Sequence, residues 1–92
     1  MTRVYVIGSI SQSAQIMKIG EDLVNHRYKV RCVTPHITTL KDAVHDCMRD
    51  IEWCDTLVVV TKPDGRMCES VTHEVCFAEF LGKQICLVRG NE

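Results

Sequence analysis

The sequence has no strong excess of charge, no long apolar run and few aromatic residues. Its formal net charge is −1 and its pI is about 6.4, so nothing favours a nucleic-acid backbone or an anionic membrane as a partner. No apolar stretch approaches the roughly 20 residues of a transmembrane helix. With 46% hydrophobic, 25% charged and 5% aromatic residues, the composition is typical of a soluble globular protein.

No signal peptide is recognisable at the start of the sequence, and no linker divides it. Met1-Thr2-Arg3 leads directly into an apolar segment, which leaves no room for the charged and apolar regions of a signal peptide. We therefore expect a cytoplasmic protein. Without an internal repeat or a low-complexity segment, residues 1–92 are expected to form a single small domain.

The cysteines and histidines lack the spacing of a metal site. No pair of the six cysteines has CxxC spacing, and in a reduced compartment such residues act as small hydrophobic side chains. His73-Glu74 resembles the start of the HExxH zinc motif, but Phe77 occupies the position of the second histidine. We expect neither a metal ion nor another cofactor.

Apolar segments that suit strands alternate with segments of helical periodicity. The predicted strands cover residues 4–7, 29–33, 56–60 and 84–88, and the predicted helices cover residues 11–26, 38 or 39 to 53, and about 71–81. Pro63-Asp64-Gly65 indicates a turn before the third helix, and Gly82 suits the left-handed cap that ends it. The alternation predicts a parallel sheet with right-handed crossovers and helices on both faces.

The predicted fold is a small three-layer α/β sandwich of the flavodoxin-like or Rossmann-like type. Its four-stranded parallel sheet is expected to have the order 2-1-3-4. Ligands of such sheets bind beyond the carboxyl ends of the strands, where the winding direction reverses. This predicts a crevice between the first and third strands, lined by residues 8–11 and by the loop that leads into the third helix.

Glu74 is the least expected residue of the third helix. On a helical wheel Val71, Val75, Ala78 and Leu81 share one apolar face, and Glu74 lies roughly 30° from its centre. A carboxylate that faces a core is costly unless it is paired, protonated or part of a cavity wall. Because Glu74 also lies beside the predicted crevice, we interpret it as a cavity-lining carboxylate.

Other polar residues are predicted to converge on the same crevice. Gly8 and Ser9 follow the first strand, where glycine allows close approach of a ligand and serine offers a hydroxyl group. Residues 69–72 supply hydroxyl and amide groups at a helix N-terminus. Three aspartates recur at four-residue spacing along the second helix, namely Asp42, Asp46 and Asp50. His36 and His73 are also expected near the crevice, without an assigned role.

Several ordered motifs resemble the nucleoside 2-deoxyribosyltransferase superfamily, which includes the 2′-deoxynucleoside 5′-monophosphate N-glycosidases. They are YVIGSI at residues 5–10, an aspartate on the second helix, CDTLVVV at 54–60 and EVCFAEFLGK at 74–83. Asp50-Ile51-Glu52-Trp53 is similar to the DxEW run of the N-glycosidases. The resemblance covers nearly the whole sequence, and the segment from Glu74 to Lys83 is its most specific part.

The resemblance implies cleavage or transfer of the N-glycosidic bond of a nucleoside or nucleoside 5′-monophosphate. Glu74 would be the nucleophile that attacks the anomeric carbon, and an aspartate and Tyr5 would assist departure of the base. Counting from Asp55 selects Asp46 as that aspartate, whereas the DxEW likeness selects Asp50. The substrate-binding residues would be Gly8, Ser9, Ile10, Ser70 and Thr72. A homodimer or larger homo-oligomer is expected, because family members complete the pocket with a neighbouring subunit.

Two other functions stay open at this stage. A non-catalytic nucleotide-binding or sensor protein is favoured by the short loop before Glu74 and by Ser11, which replaces a basic residue of the monophosphate hydrolases. A regulatory interaction module without a small ligand is the third possibility. It predicts that Glu74 can be replaced freely, even with a gain in stability.

Overall fold

The computed structural model describes residues 2–32 and 40–91, and for residues 10 and 40–46 it describes the backbone alone. Strands and helices alternate along these residues, as the sequence predicts. No helix in this part of the chain combines the length and apolarity needed to cross a membrane. The elements are β1 (Arg3–Gly8), a short 3₁₀ turn (Ile10–Gln12), α1 (Ser13–Asn25), β2 (Lys29–Cys32), α2 (Leu40–Trp53), β3 (Thr56–Thr61), α3 (Glu69–Phe80) and β4 (Gln84–Arg89).

The four strands form one parallel sheet with the order β2-β1-β3-β4. This confirms the predicted order and the flavodoxin-like type of fold. The two central strands have nearly continuous buried segments, as their unbroken apolar runs predict. Strand β2 alternates between exposed and partly buried residues, which confirms its predicted place at an edge of the sheet.

The helices cover both faces of the sheet and separate two apolar cores. One core lies under α2 and α3, and its buried residues are Tyr5, Ile7, Ile51, Cys54, Leu57, Val59, Val71, Val75 and Ala78. The other lies under α1, and its buried residues are Val4, Val6, Ile16, Val58 and Val60. Because side chains alternate along a strand, each central strand supplies both cores. The two helices on the first face leave a seam between them.

Helix α3 begins at Glu69, two residues before the predicted start, and is followed by the predicted glycine cap. Gly82 has a φ angle of +73°, the left-handed conformation expected of a residue that ends a helix. Three of the four residues assigned to the apolar face are buried, but Leu81 is 38% exposed because it lies at the helix end. The face that carries Glu74 therefore packs against the sheet mainly through Val71, Val75 and Ala78.

The turns and caps predicted around the other helices are confirmed only in part. Gly65 has a φ angle of +86° and donates its amide to the Lys62 carbonyl at 2.8 Å, which confirms the turn before α3. The first helix is preceded by a 3₁₀ turn, so α1 itself starts at Ser13. The predicted start of α2, at residue 38 or 39, lies outside the described residues.

Candidate active site

A cavity of about 360 Å³ lies in the seam between α2 and α3. Its walls are mostly apolar, and Glu74 is the one acidic side chain among the described residues that line it. The lining residues are Cys47, Met48, Ile51, Ser70, His73, Glu74 and Phe77. No group of three or more His, Cys, Asp or Glu residues in the described ranges could hold a metal ion.

Glu74 is partly buried at the edge of the apolar face of α3. It lines the cavity, as its position on the helical wheel predicts, whereas Glu79 on the same helix is exposed. Burial raises the pKa of the Glu74 carboxyl above its usual value, and the nearby Cys47 thiol lowers it by a smaller amount. Ionisation of Glu74 is therefore less favourable in this cavity than it would be in water.

Tyr5 lies beneath the same seam, on the face of β1 that supports α2 and α3. Its side chain is almost fully buried, and its hydroxyl group donates a hydrogen bond to Cys47 Sγ at 3.5 Å. Burial, with this contact, raises the pKa of Tyr5 above its usual range. The hydroxyl group is accordingly protonated at neutral pH and acts as a hydrogen-bond donor, not as a base.

The two aspartates predicted for α2 are placed differently. Asp50 accepts a hydrogen bond from Arg31 Nη1 at 2.8 Å, and the Arg31 guanidinium stacks over the Trp53 ring at 4.2 Å from its centroid. Asp50 is absent from the cavity lining, yet its charge is close enough to raise the pKa values of Tyr5 and Cys47. Asp46 belongs to α2 by its backbone, and its side chain lies outside what the structure describes.

Gly8 is the last residue of β1, and Ser9 and Ile10 follow it; neither Gly8 nor Ser9 lines the cavity that contains Glu74. A Cβ atom on Gly8 would lie 2.8 Å from the Val60 carbonyl oxygen, so close packing of the central strands accounts for this glycine. The Ser9 hydroxyl lies 2.9 Å from the Ser11 hydroxyl. Ile10 is part of the 3₁₀ turn, and its side chain is not described.

A separate cavity of about 350 Å³ lies at the start of α1. Its lining residues are Ser11, Gln12, Ala14, Gln15, Lys18 and Asn91. The cavity that contains Glu74 therefore lies beside the helix that follows β3, and this second cavity lies beside the helix that follows β1.

The hydroxyl residues at the start of α3 are divided between the cavity and the helix itself. Ser70 lines the cavity, and its hydroxyl lies 3.4 Å from Cys68 Sγ. Thr72 is exposed and donates its hydroxyl hydrogen bond to the Cys68 carbonyl at 3.0 Å. His73 also lines the cavity and forms an ion pair of 3.7 Å with Glu69 when it is protonated. His36 lies outside the described residues.

Three cavity residues carry roles that the sequence did not indicate. Cys47 was expected only to act as a small hydrophobic side chain, yet its sulfur accepts a hydrogen bond from Tyr5 and it lines the same cavity as Glu74. Met48 and Phe77 form part of the apolar wall. Helical periodicity was the only signal in the sequence that could have indicated these contacts. It places Cys47 of α2 and Glu74 of α3 on the inner sides of two helices that cover the same face of the sheet.

Comparison with known proteins supports the fold through structure alone. No protein-family model matches the sequence, and no curated protein matches it. A solved 2-deoxyribosyltransferase from Leishmania mexicana matches 97% of this chain with a TM-score of 0.80 and 15% sequence identity. A solved CMP N-glycosidase from Clostridium botulinum matches 95% of it with a TM-score of 0.65 and 20% identity.

The matches differ in how much of each known chain they cover. This chain spans 65% of the length of the Leishmania protein and 71% of the Clostridium protein. At such identities the likeness establishes the fold and leaves the roles of individual residues to the geometry. Both proteins belong to the nucleoside 2-deoxyribosyltransferase-like superfamily, and the chain has their fold.

Proposed function

We propose that the protein binds a nucleoside or nucleoside 5′-monophosphate in the seam between α2 and α3 and cleaves or transfers its N-glycosidic bond. Glu74 is the nucleophile in this proposal. The reaction class is that of the two structural neighbours, which are a deoxyribosyltransferase and an N-glycosidase. The homo-oligomer expected from the sequence stays a prediction.

The observation that carries the proposal is a partly buried carboxylate in the wall of a mostly apolar cavity. Glu74 lies beyond the first turn of α3, so it does not cap its own helix. Burial raises its pKa, which means that the fold makes ionisation of this group more costly than it would be in water. Titratable groups of this kind are concentrated at functional sites, and the cavity gives the carboxylate space to meet a ligand.

The proposed reaction has two steps. A Glu74 oxygen bonds to the anomeric carbon of the sugar while the bond from that carbon to the base nitrogen breaks, and the base leaves with the bonding electron pair and takes a proton from the solvent. Water then attacks the anomeric carbon and gives a proton to the solvent, while the bond from Glu74 to the sugar breaks, which restores the carboxylate and releases the sugar. A second base in place of water gives transfer.

Tyr5 and one aspartate are the groups proposed to assist departure of the base. The Tyr5 hydroxyl stays protonated, so it contributes hydrogen bonding and not proton abstraction. Asp46 and Asp50 remain alternatives for the acidic group. Gly8, Ser9, Ile10, Ser70 and Thr72 are retained as proposed substrate contacts, and Ser70 is the member of this set that lines the cavity.

A base-release assay tests this proposal. Purified protein is incubated with ribo- and deoxyribonucleosides and with their 5′-monophosphates, and free base is measured by chromatography. We expect release by the wild type and a loss of at least about 10³-fold in Glu74→Ala, as for removal of a covalent nucleophile. Glu79→Ala is the matched control, because Glu79 is exposed on the same helix. Equal release by wild type and Glu74→Ala would refute the nucleophile assignment.

A non-catalytic nucleotide-binding or sensor protein is the second candidate. It is favoured by the short loop before Glu74 and by Ser11, which replaces a basic residue of the monophosphate hydrolases. Thermal melting separates the two functions. A sensor raises its melting temperature with a nucleoside or nucleotide and forms no free base, whereas an enzyme forms base.

A further inference from the structure

Helix α3 lines the α2–α3 cavity with a hydroxyl group, a carboxylate and an aromatic ring, in that order. Ser70, Glu74 and Phe77 all belong to the lining, and their spacing of four and then three positions places them on one face of the helix. With a rise of about 1.5 Å per residue, Ser70 lies roughly 6 Å along the axis before Glu74, and Phe77 lies roughly 4.5 Å beyond it. The carboxylate therefore separates a polar side of the cavity from an aromatic one.

Helix α2 adds apolar side chains to the Phe77 side of the cavity. Both helices run from the carboxyl edge of the sheet to its amino edge, because each connects two parallel strands. Ile51 therefore lies beyond Cys47 in the direction in which Phe77 lies beyond Glu74. His73, in contrast, precedes Glu74 on α3. We call the region formed by three of the lining residues the apolar end, namely Met48, Ile51 and Phe77.

A nucleoside presents its groups in a matching order. Its anomeric carbon lies between the flat aromatic base and the carbons that bear the sugar hydroxyl groups, so base and sugar extend to opposite sides of a carboxylate that meets this carbon. We propose that the base of the substrate occupies the apolar end, in contact with Phe77 and Met48, and that the sugar points towards Ser70. The inference rests on the proposed function, because it takes Glu74 as the group that meets the anomeric carbon.

The cost of burying polar groups decides between this orientation and its reverse. Sugar hydroxyl groups placed against Phe77 and Ile51 would lose their water without gaining a hydrogen-bond partner, which is unfavourable. A base placed there gains apolar contact and stacking on the Phe77 ring, and stacking is open to every base because each has a π face. The apolar end therefore fits the base and the Ser70 side fits the sugar.

The apolar end also determines which bases the protein distinguishes. Its described side chains form no strong hydrogen bonds, and the sulfur of the adjoining Cys47 already accepts the Tyr5 hydroxyl at 3.5 Å. Sites that hydrogen-bond a substrate group reject an analogue without it by about 10⁴–10⁵-fold, whereas apolar contacts discriminate far less. Bases of equal size are therefore distinguished weakly, and the larger purines are preferred because they bury more apolar surface. Purine nucleosides are the inferred substrate class.

Binding of free bases tests the inference without turnover. Protein with ¹³C-labelled methionine methyl groups is titrated with adenine, hypoxanthine, cytosine and 2-deoxyribose, and Met48→Leu assigns the Met48 signal. Both purines should move this signal, with dissociation constants that agree within about tenfold and are lower than that of cytosine by about threefold or more. 2-Deoxyribose should leave it in place. The Met17 signal is the control, because Met17 is 62% exposed on α1, across the sheet.

Matched variants on α3 locate the base along the helix. Phe77→Leu should weaken adenine binding by about 3–10-fold, the effect of losing one aromatic pair. Phe80→Leu is the control, because Phe80 is 86% exposed and does not line the cavity. Ser70→Ala should leave adenine binding unchanged, because Ser70 lies on the other side of Glu74. If Phe77→Leu does not fold, Phe77→Met replaces it, since it also removes the ring and keeps an apolar side chain.

The possible failures give different results. A Met48 signal that neither purine moves, or a loss of adenine binding in Ser70→Ala equal to that in Phe77→Leu, overturns the placement of the base. A difference of more than about tenfold between adenine and hypoxanthine overturns recognition by apolar contact alone. Absence of base release from a wild type that still binds purines at Met48 refutes the proposed glycosidic reaction and leaves the base site in place.

Discussion

Removal of the Asp50 carboxylate is the perturbation that separates a chemical role on α2 from a structural one. Asp50 Oδ1 lies 2.8 Å from Arg31 Nη1, and the Arg31 guanidinium lies 4.2 Å from the centroid of the Trp53 ring. The three side chains join the edge strand β2 to the last two turns of α2. We therefore expect Asp50→Ala to reduce stability through this junction.

The expected loss of stability in Asp50→Ala depends on how exposed the side chains of Arg31 and Asp50 are. The side chains of Arg31 and Asp50 are 44% and 24% exposed, so the ion pair is screened and contributes about 0.5–1 kcal/mol. Loss of the pair also loosens the stacking of Arg31 on Trp53, a contact of about 0.5–1 kcal/mol at exposed sites. Alanine recovers up to about 0.5 kcal/mol through its helix propensity. The expected net loss is about 1 kcal/mol, or roughly 4–8 °C in melting temperature for a domain of this size.

The assay is urea unfolding of a double-mutant cycle made from Asp50→Ala and Arg31→Met. Methionine retains much of the apolar stem of arginine while removing its charge. We expect a coupling energy of about 0.5 kcal/mol or more that becomes smaller at high salt. Glu52→Ala is the control for a neighbouring exposed acid on α2. Zero coupling, together with loss of base release in a stable Asp50→Ala, would refute the structural role and identify Asp50 as the chemical group.

Two further predictions concern the cavity wall. Glu74→Gln should stabilise the protein by about 1 kcal/mol at pH 7, because burial raises the folded-state pKa of Glu74 and so penalises its charged form. This gain in stability should disappear as the pH falls through the pKa of Glu74 in the folded protein towards its ordinary value of 4.5. An equal gain at low pH, measured by thermal melting, would show that the buried charge is not its cause. Ile51→Ala should lower the free energy of unfolding in urea by about 2–5 kcal/mol, because Ile51 is fully buried between α2 and the sheet. A loss below about 1 kcal/mol, the range expected for the matched Ile51→Val, would contradict that packing.

The fold could be predicted from the sequence because local patterns determine it. The unbroken apolar runs of β1 and β3 require burial on both faces, and their alternation with helical segments leaves few topologies. Gly82 and Gly65 mark the end of α3 and the turn before it through their own backbone preferences. These signals act within a few residues, so no knowledge of distant contacts is needed to use them.

Only the features of the site that depend on a single helix could be predicted from the sequence. The wheel of α3 places Glu74 beside the apolar face, whereas the contacts of Cys47 depend on how α2 lies against α3 and β1. The ion pair of Asp50 depends likewise on the position of Arg31 at the sheet edge. Sequence spacing along α2 does not decide between Asp46 and Asp50, because it contains no information on which partner each aspartate meets.

The position of Glu74 makes stability itself a test of function. A glutamine of nearly the same shape would occupy the cavity wall without the penalty of a buried charge, so a carboxylate there needs a use for its charge. If Glu74→Gln gains stability and loses base release, the charge of Glu74 is used in the glycosidic chemistry. If Glu74→Gln gains the same stability but its melting temperature responds less to a ligand, and the wild type forms no free base, the result identifies a sensor. A gain in stability with no other change is the result that an interaction module predicts.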